Sequence, residues 1–469
     1  MFPRVSVQEA SAATWDVVLV GSSFASMFFL RGLPPELSVL IIERGDVVSH
    51  ATQGSGWTGP DVAPPVDNAS NREKSWVVSS IFGGNSNCWW GQTPRFLPAD
   101  FRTRTLFGVA EDWPFGYEEL EPYYAEAEAI MEIAGGGNEH LLPRSRPYPF
   151  PPHTPSRSDQ ALQAFSRNWV PASCARSNGG SRPTCCANGV CHHCPVEAKF
   201  TILNSVDRFV RPGAALLTGA EVRSIEHAGG VATAAVIRAG DTQARIAFGM
   251  AALGANAIFN AAILLRSGFA APALGRYLHE QVARPVEIDV AIPNFFGGTS
   301  ITGLGYHFYH DADRSQRAAV LLENFNVPAR ARPTRGRWTE RLTLKLVAED
   351  IPSADNRVTI VDDEPRIEWR GHSDYGYAGI DHALANIAAV LPAPVENVNV
   401  LGDPATEAHI QGTTRMGASI ETGVVDDRLR LHEARNLFCL GSGAFPSCSP
   451  ANPTLTLSAL SLRAAGSVA

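Results

Sequence analysis

The sequence predicts an α/β chain in which a Rossmann-like domain is interrupted by an antiparallel sheet. Three observations carry this. The chain opens with a short apolar run, a tight turn, a helix-like stretch and a second apolar run closed by an acid. Residues from about 285 to 400 switch to alternating apolar and polar positions, which is the two-residue period of a half-buried strand. The 469 residues are 45% hydrophobic and only 18% charged, enough for a large core and far from the balance that favours disorder.

Taken in order, residues 16–20 (DVVLV) form the first strand and GSSFAS (21–26) the turn. A helix from 27 to 33 and a strand from 37 to 42 follow, ending at Glu43, 22 residues after Gly21. Strand, turn, helix, strand and terminal acid are the βαβ dinucleotide unit, and Glu43 is placed to accept hydrogen bonds from ribose hydroxyls. The expected G-x-G-x-x-G reads Gly21, Ser23 and Ser26. The second glycine normally admits a pyrophosphate and the third close helix packing, so the serines predict a weakened or shifted phosphate contact. Residues 103–197 are rich in Pro, Cys and aromatics and read as loops with one acidic helix at 117–131. Residues 248–265 read as a buried strand running into a helix. Alternation marks strands at 286–291, 318–323, 341–347 and 357–361, and a helix is expected over 379–391.

Lys+Arg 39 against Asp+Glu 47 gives a net charge of −8, which leaves no global basic field for nucleic acid. The longest apolar stretch carries Asn256 and Asn260, short of the about 20 apolar residues of a spanning helix. The first fifteen residues lack the apolar core of a signal peptide, so a cytoplasmic location is the default expectation, with co-export beside a partner as the alternative.

Four segments together resemble the glucose–methanol–choline (GMC) flavoprotein oxidoreductases, closest to the sugar and sugar-acid dehydrogenase branch. They are the βαβ unit, FGGNSNCWWGQTPRF (82–96), LGANAIFNAAILLRSG (253–268), and the carboxyl end with HIQGTTRMG (409–417), NLFCLGSGAFP (436–446) and ANPTLTLSAL (451–460). DWPFGYEELEPYYAEAE (112–128) points to the branch. The resemblance implies GMC architecture: an FAD-binding domain in three parts (13–102, 198–284, 401–469), a loop-rich insertion (103–197) and a substrate domain (285–400). It implies FAD contacts from Gly21, Ser22, Ser23, Ser26, Glu43 and Arg44. Further contacts are implied from Gly83, Gly84, Asn85, Ser86, Cys88 and Trp89, from Gly254 and Ala255, and from Gly441, Ser442, Asn452, Pro453 and Thr454. Relatives that attach flavin covalently do so through a His where this chain has Cys88, which is expected to be a plain buried thiol against the ring, with a cysteinyl thioether to flavin as the alternative.

Oxidising an alcohol removes a proton from oxygen and a hydride from carbon. FAD takes the hydride, and the protein supplies a base and holds the oxygen. The resemblance gives these roles to His409, which opens the H-x-x-G-T motif, and Asn452, 43 residues later. His279 and His432 are expected to be structural. The implied substrate is a small alcohol of the sugar, polyol or glycoside class.

Half of the eight cysteines lie in TCCANGVCHHCPVEAK: Cys185, Cys186, Cys191 and Cys194. Thiolates suit an iron–sulfur cluster, zinc or disulfides, and the residues alone do not choose. The resemblance favours a 3Fe-4S cluster on Cys185, Cys186 and Cys191, with Cys194 at a shifted spacing, passing electrons to an external acceptor or an electron-transfer subunit. An oxidase using O2 with structural cysteines, a hydroxynitrile-lyase-like flavoprotein and a binding protein that has lost its cofactor stay open.

Overall fold

The computed structural model describes residues 1–55, 66–68, 74–310, 312–326 and 340–468. Two sheets organise them. The first has eight strands around a parallel core: Thr14–Val20 lies between Val39–Ile42 and Thr242–Leu253, with Ala214–Leu217 and Ala434–Cys439 beyond them. VLII at 39–42 is buried throughout, as a parallel strand covered on both faces requires. A hairpin, Glu221–Ala228 with Val231–Ala239, joins Thr242–Leu253 in antiparallel register.

The apolar stretch 248–265 becomes the end of strand Thr242–Leu253 and helix Asn256–Arg266, as its composition predicts. Among the described residues no helix is long and apolar enough to cross a membrane.

The second sheet is antiparallel, ordered Val395–Val400, Val282–Val290, Arg341–Ala348, Val320–Phe325, Ile301–Phe308 and Trp169–Pro171. One face packs on helix Asp374–Ala385 through Val286, Ile288, Leu342, Leu344, Ile380 and Ala383. The other turns toward the first sheet. In Val320–Phe325, Val320 and Leu322 point to the helix, while Leu321 and Phe325 join the larger core. Glu323 lies on that inner face, in register opposite Lys345.

Three details depart from the sequence reading. Strand Arg357–Val361 pairs with Glu364–Glu368 in a hairpin of its own, because Asp362 and Asp363 both take positive φ (49° and 64°), the tight two-residue turn that folds a strand straight back. The helix expected over 379–391 starts earlier, at Asp374, where the Ser373 hydroxyl caps the Gly376 N–H, and ends at Ala385. The loop-rich stretch 103–197 contributes Trp169–Pro171 as an edge strand, where a proline costs no ladder bond. Its acidic helix spans Tyr117–Met131.

Candidate active site

One cavity of about 540 Å³ runs from the first βα turn to the inner face of the antiparallel sheet. At its nucleotide end Gly21 holds φ +83°, and a Cβ there would fall 2.8 Å from Gly254 O. Ser22 Oγ donates to Glu43 Oε2 at 2.6 Å and accepts the Gly83 N–H at 2.9 Å. Burial pushes the Glu43 carboxyl up to about 7, against hydrogen bonds from Ser22 and Gly45 that favour its charged form. Ser23 starts helix Phe24–Gly32 with a side chain that caps nothing, so the first N–H groups of that helix keep no side-chain partner there.

The two serines that replace glycines are each met by a glycine from another segment. A Cβ at Gly254 would fall 2.1 Å from Ser26 Oγ, and one at Gly84 would fall 2.9 Å from the Ser23 Cβ. Close packing is therefore preserved with the small residue moved across the contact. Ser26 Oγ donates to Val20 O at 3.2 Å and lies away from the cavity.

Ser22, Ser23, Arg44, Asn85, Cys88 and Trp89 also line the cavity, as do Ala255, Gly441, Ser442, Pro453 and Thr454. Gly83 and Ser86 lie outside it. Gly83 serves Ser22, and Ser86 Oγ accepts the Ile202 N–H at 3.1 Å, so both brace the wall rather than face a ligand. Asn260, which the sequence did not single out, donates to Leu253 O and Leu440 O at 3.0 Å each and ties the two strand ends together. Cys88 is a free thiol that burial pushes up.

At the other end His409 and Asn452 line the same cavity. Their arrangement rests on Gln281, also missed in the sequence. Gln281 Nε2 donates to Ser449 O at 2.9 Å and Ala451 O at 3.1 Å, which fixes its amide and aims Oε1 at His409 Nδ1, 3.1 Å away. An acceptor at that distance makes Nδ1 the protonated nitrogen and leaves Nε2 with the lone pair. Enclosure lowers the His409 pKa to about 3, with Lys345 adding to the effect, so the imidazole is neutral and able to accept a proton. Asn452 Oδ1 is buried and has no hydrogen-bond partner in the structure. His279 and His432 lie outside the cavity lining and bond the carbonyls of Tyr277 at 2.8 Å and Gly417 at 3.1 Å.

Residues 352–461 match the GMC oxidoreductase family. The chain is 28% identical to paromamine 6'-oxidase of Streptomyces fradiae over 97% of its own length and 91% of the relative's. It is 26% identical to the fructose dehydrogenase large subunit of Gluconobacter japonicus over 84% and 81%. The chain is thus similar to GMC oxidoreductases, by the family match at its carboxyl end and by these relatives over most of its length. The fold agrees: the structure of formate oxidase superposes with a TM-score of 0.70 at 13% identity, covering 97% of each chain, and pyridoxine 4-oxidase from Mesorbium loti with 0.66 at 17%, covering 96% of this chain and 98% of that one.

The cysteine segment is the main departure from expectation. Among the described residues no three His, Cys, Asp or Glu side chains come together to hold a metal ion. Cys186 is exposed, Cys185 bonds Thr299 Oγ1 at 3.5 Å, Cys191 sits 2.9 Å from Ser300 Oγ, and all eight cysteines are free thiols. The loop is pinned another way. The buried Lys199 ammonium donates to the carbonyls of Asn87, Trp89, Cys191 and His192, at 2.7 to 2.9 Å. The ligand set expected at Cys185, Cys186, Cys191 and Cys194 is thus not assembled, and these residues do not fit a 3Fe-4S cluster.

The cavity residues do fit FAD. Gly21, Gly84 and Gly441 bring no side chain into it, Glu43 offers a carboxylate acceptor, the helix at Ser23 presents N–H groups, and Asn452 Oδ1 lacks a partner.

Proposed function

We propose that this chain is an FAD-dependent oxidoreductase that oxidises a hydroxyl group of a sugar or glycoside. The observation that carries this is the convergence of His409, held as a neutral imidazole by Gln281, and the unpartnered Asn452 Oδ1 on a cavity continuous with the nucleotide turn.

Glu43 would accept hydrogen bonds from the adenosine ribose, the helix at Ser23 would hold the pyrophosphate, and Gly84, Asn85, Cys88 and Gly441 would flank the remainder. When bound, FAD supplies the two-electron acceptor that takes hydride from the carbinol carbon. His409 Nε2 accepts the hydroxyl proton while Gln281 keeps the opposite edge of the ring protonated. Asn452 donates from its amide to the substrate oxygen as charge develops there, worth most in a site that excludes water. The sugar class is supported by relatives named for fructose, paromamine and, at 30% identity over half of this chain, a C-glycoside. With no cluster ligand set assembled, we assign electron exit to an acceptor that enters from solution, O2 or a diffusible carrier.

The test is to load purified protein with FAD and mix it with methyl glycosides without air. Bleaching near 450 nm with a stoichiometric carbonyl product supports the reading, and peroxide or dye reduction on adding acceptor distinguishes oxidase from dehydrogenase. Unchanged flavin colour across primary and secondary sugar alcohols removes it. Iron and acid-labile sulfide copurifying in stoichiometric amount would reinstate the cluster.

A further inference from the structure

The substrate end of the cavity carries an ion pair that the oxidation does not use. Glu407 stands two residues before His409, and both line the cavity. Their segment is anchored on buried Glu280, which accepts the Glu407 N–H at 3.1 Å and the Thr406 hydroxyl at 3.0 Å. The Ala408 N–H donates to Thr406 Oγ1 at 2.9 Å, and Ala408 is held at φ 59° between Glu407 and His409. An alanine stays in that left-handed region only where its surroundings over-determine it, so Glu407 reaches the wall from a fixed backbone. From strand Arg341–Ala348, Lys345 Nζ donates to Glu407 Oε2 at 2.6 Å and lies 3.1 Å from Glu323 Oε2. Both Glu323 oxygens are closed off, so that carboxylate serves as a fixed counter-ion.

The hydrogen-bonding capacity of this pair is only partly spent. An ammonium has three N–H donors, and a carboxylate accepts on two oxygens. Lys345 gives one donor to Glu407 and turns a second toward Glu323, which leaves one without an acceptor among the described residues. Glu407 Oε1 accepts from no described residue and, unlike the Glu323 oxygens, keeps accessible surface. The Lys345 and Glu407 side chains are 17% and 6% exposed, and both line the cavity. Trp90 and Phe325 line it as well, 5.8 Å apart between centroids, with Lys345 Nζ 5.4 Å from the Phe325 ring. A hydroxyl is neutral and offers one acceptor and one donor, the complement of what the pair has left. We propose that Lys345 and Glu407 together hold a second hydroxyl of the substrate, Lys345 Nζ donating to its oxygen and Glu407 Oε1 accepting its O–H. This rests on the sugar-oxidation reading and narrows it to polyhydroxylated rings, with rings that carry only the reacting hydroxyl as poor substrates. A site built to bond a hydroxyl rejects the analogue that lacks it, because its own polar groups are then left unpaired. Held at this second point, the ring presents one particular hydroxyl to His409.

Binding can be read without turnover. FAD-loaded protein is titrated in a calorimeter with cyclohexanol and with the cis and trans forms of cyclohexane-1,2-diol and cyclohexane-1,3-diol. At least one diol is expected to bind about tenfold more tightly than cyclohexanol. Glu407→Leu, in which Lys345 keeps Glu323 as counter-ion, is expected to bring that diol within about twofold of cyclohexanol. Diols no tighter than cyclohexanol in the parent overturn the proposal with no variant needed, as does a diol preference that Glu407→Leu leaves intact. The two readings fail separately. Glycosides oxidised without any diol preference remove the Lys345–Glu407 assignment and spare the function. A diol preference that depends on Glu407, without oxidation of any glycoside, keeps the assignment and removes the sugar reading.

Discussion

At the nucleotide end of the cavity the chain departs from the family motif by exchanging glycines for serines, whereas at the substrate end it keeps the expected His409 and Asn452 and surrounds them with buried polar groups. The first end depends on close backbone approach. It tolerates Ser23 and Ser26 because Gly84 and Gly254 give way opposite them. The second depends on directed hydrogen bonds, where Gln281 is oriented by two carbonyls before it orients His409. A steric requirement can be met from either side of a contact, but a hydrogen-bond direction cannot be handed to a neighbour so freely.

Substitutions that strain each end sharpen this contrast. The largest effect is expected for Gly254→Val, whose side chain has no room beside Ser26 Oγ. The variant should yield little folded, FAD-loaded protein, and Gly254→Ala should lose on the order of 1–3 kcal/mol by chemical denaturation. In a Ser26→Gly background the alanine cost should shrink, and equal costs in both backgrounds would break the compensation argument. Gln281→Leu comes next. With its acceptor gone the imidazole is free to take the other tautomer, so flavin reduction should slow on the order of 10–100-fold with FAD content unchanged.

The pH dependence is subtler. Because the His409 pKa is lowered from 6.5 to about 3, its base form survives as pH falls. The acid limb of kcat/KM is therefore expected below pH 5 rather than near 6.5, and a decline centred at 6.5 would mean that the imidazole is far better solvated than its enclosure suggests. Cys185→Ser should have the smallest effect, with flavin reduction and reoxidation both within about twofold of the parent in steady-state assays. Intact reduction with lost one-electron transfer would restore the cysteines to the mechanism.

The sequence made the nucleotide end legible because turn, strand and acid have fixed spacing, and Gly21 and Glu43 line the cavity where that spacing puts them. His409 and Asn452 were legible for the same reason. Ser26, Gly83 and Ser86 were not, since motif membership does not reveal which side of a wall a small residue faces. Glu323, Lys345 and Gln281 escaped because each sits in or beside a strand whose alternation also accounts for a solvent-facing polar residue. Only the pairing of Glu323 with Lys345 across the sheet, and the burial of Glu323, shows that this face points inward. The cysteine spacing carried ligand chemistry but not convergence, because a loop closed by Lys199 on four carbonyls can hold its thiols apart.

The proposed oxidation stands or falls with His409 taking the substrate proton over the flavin site. Its most direct measurement is anaerobic stopped-flow reduction of parent and His409→Ala, matched for bound FAD, with one oxidisable glycoside. The variant is expected to keep its flavin but to reduce it roughly 100- to 10,000-fold more slowly, the contribution of a general base. Reduction at the parent rate would contradict it.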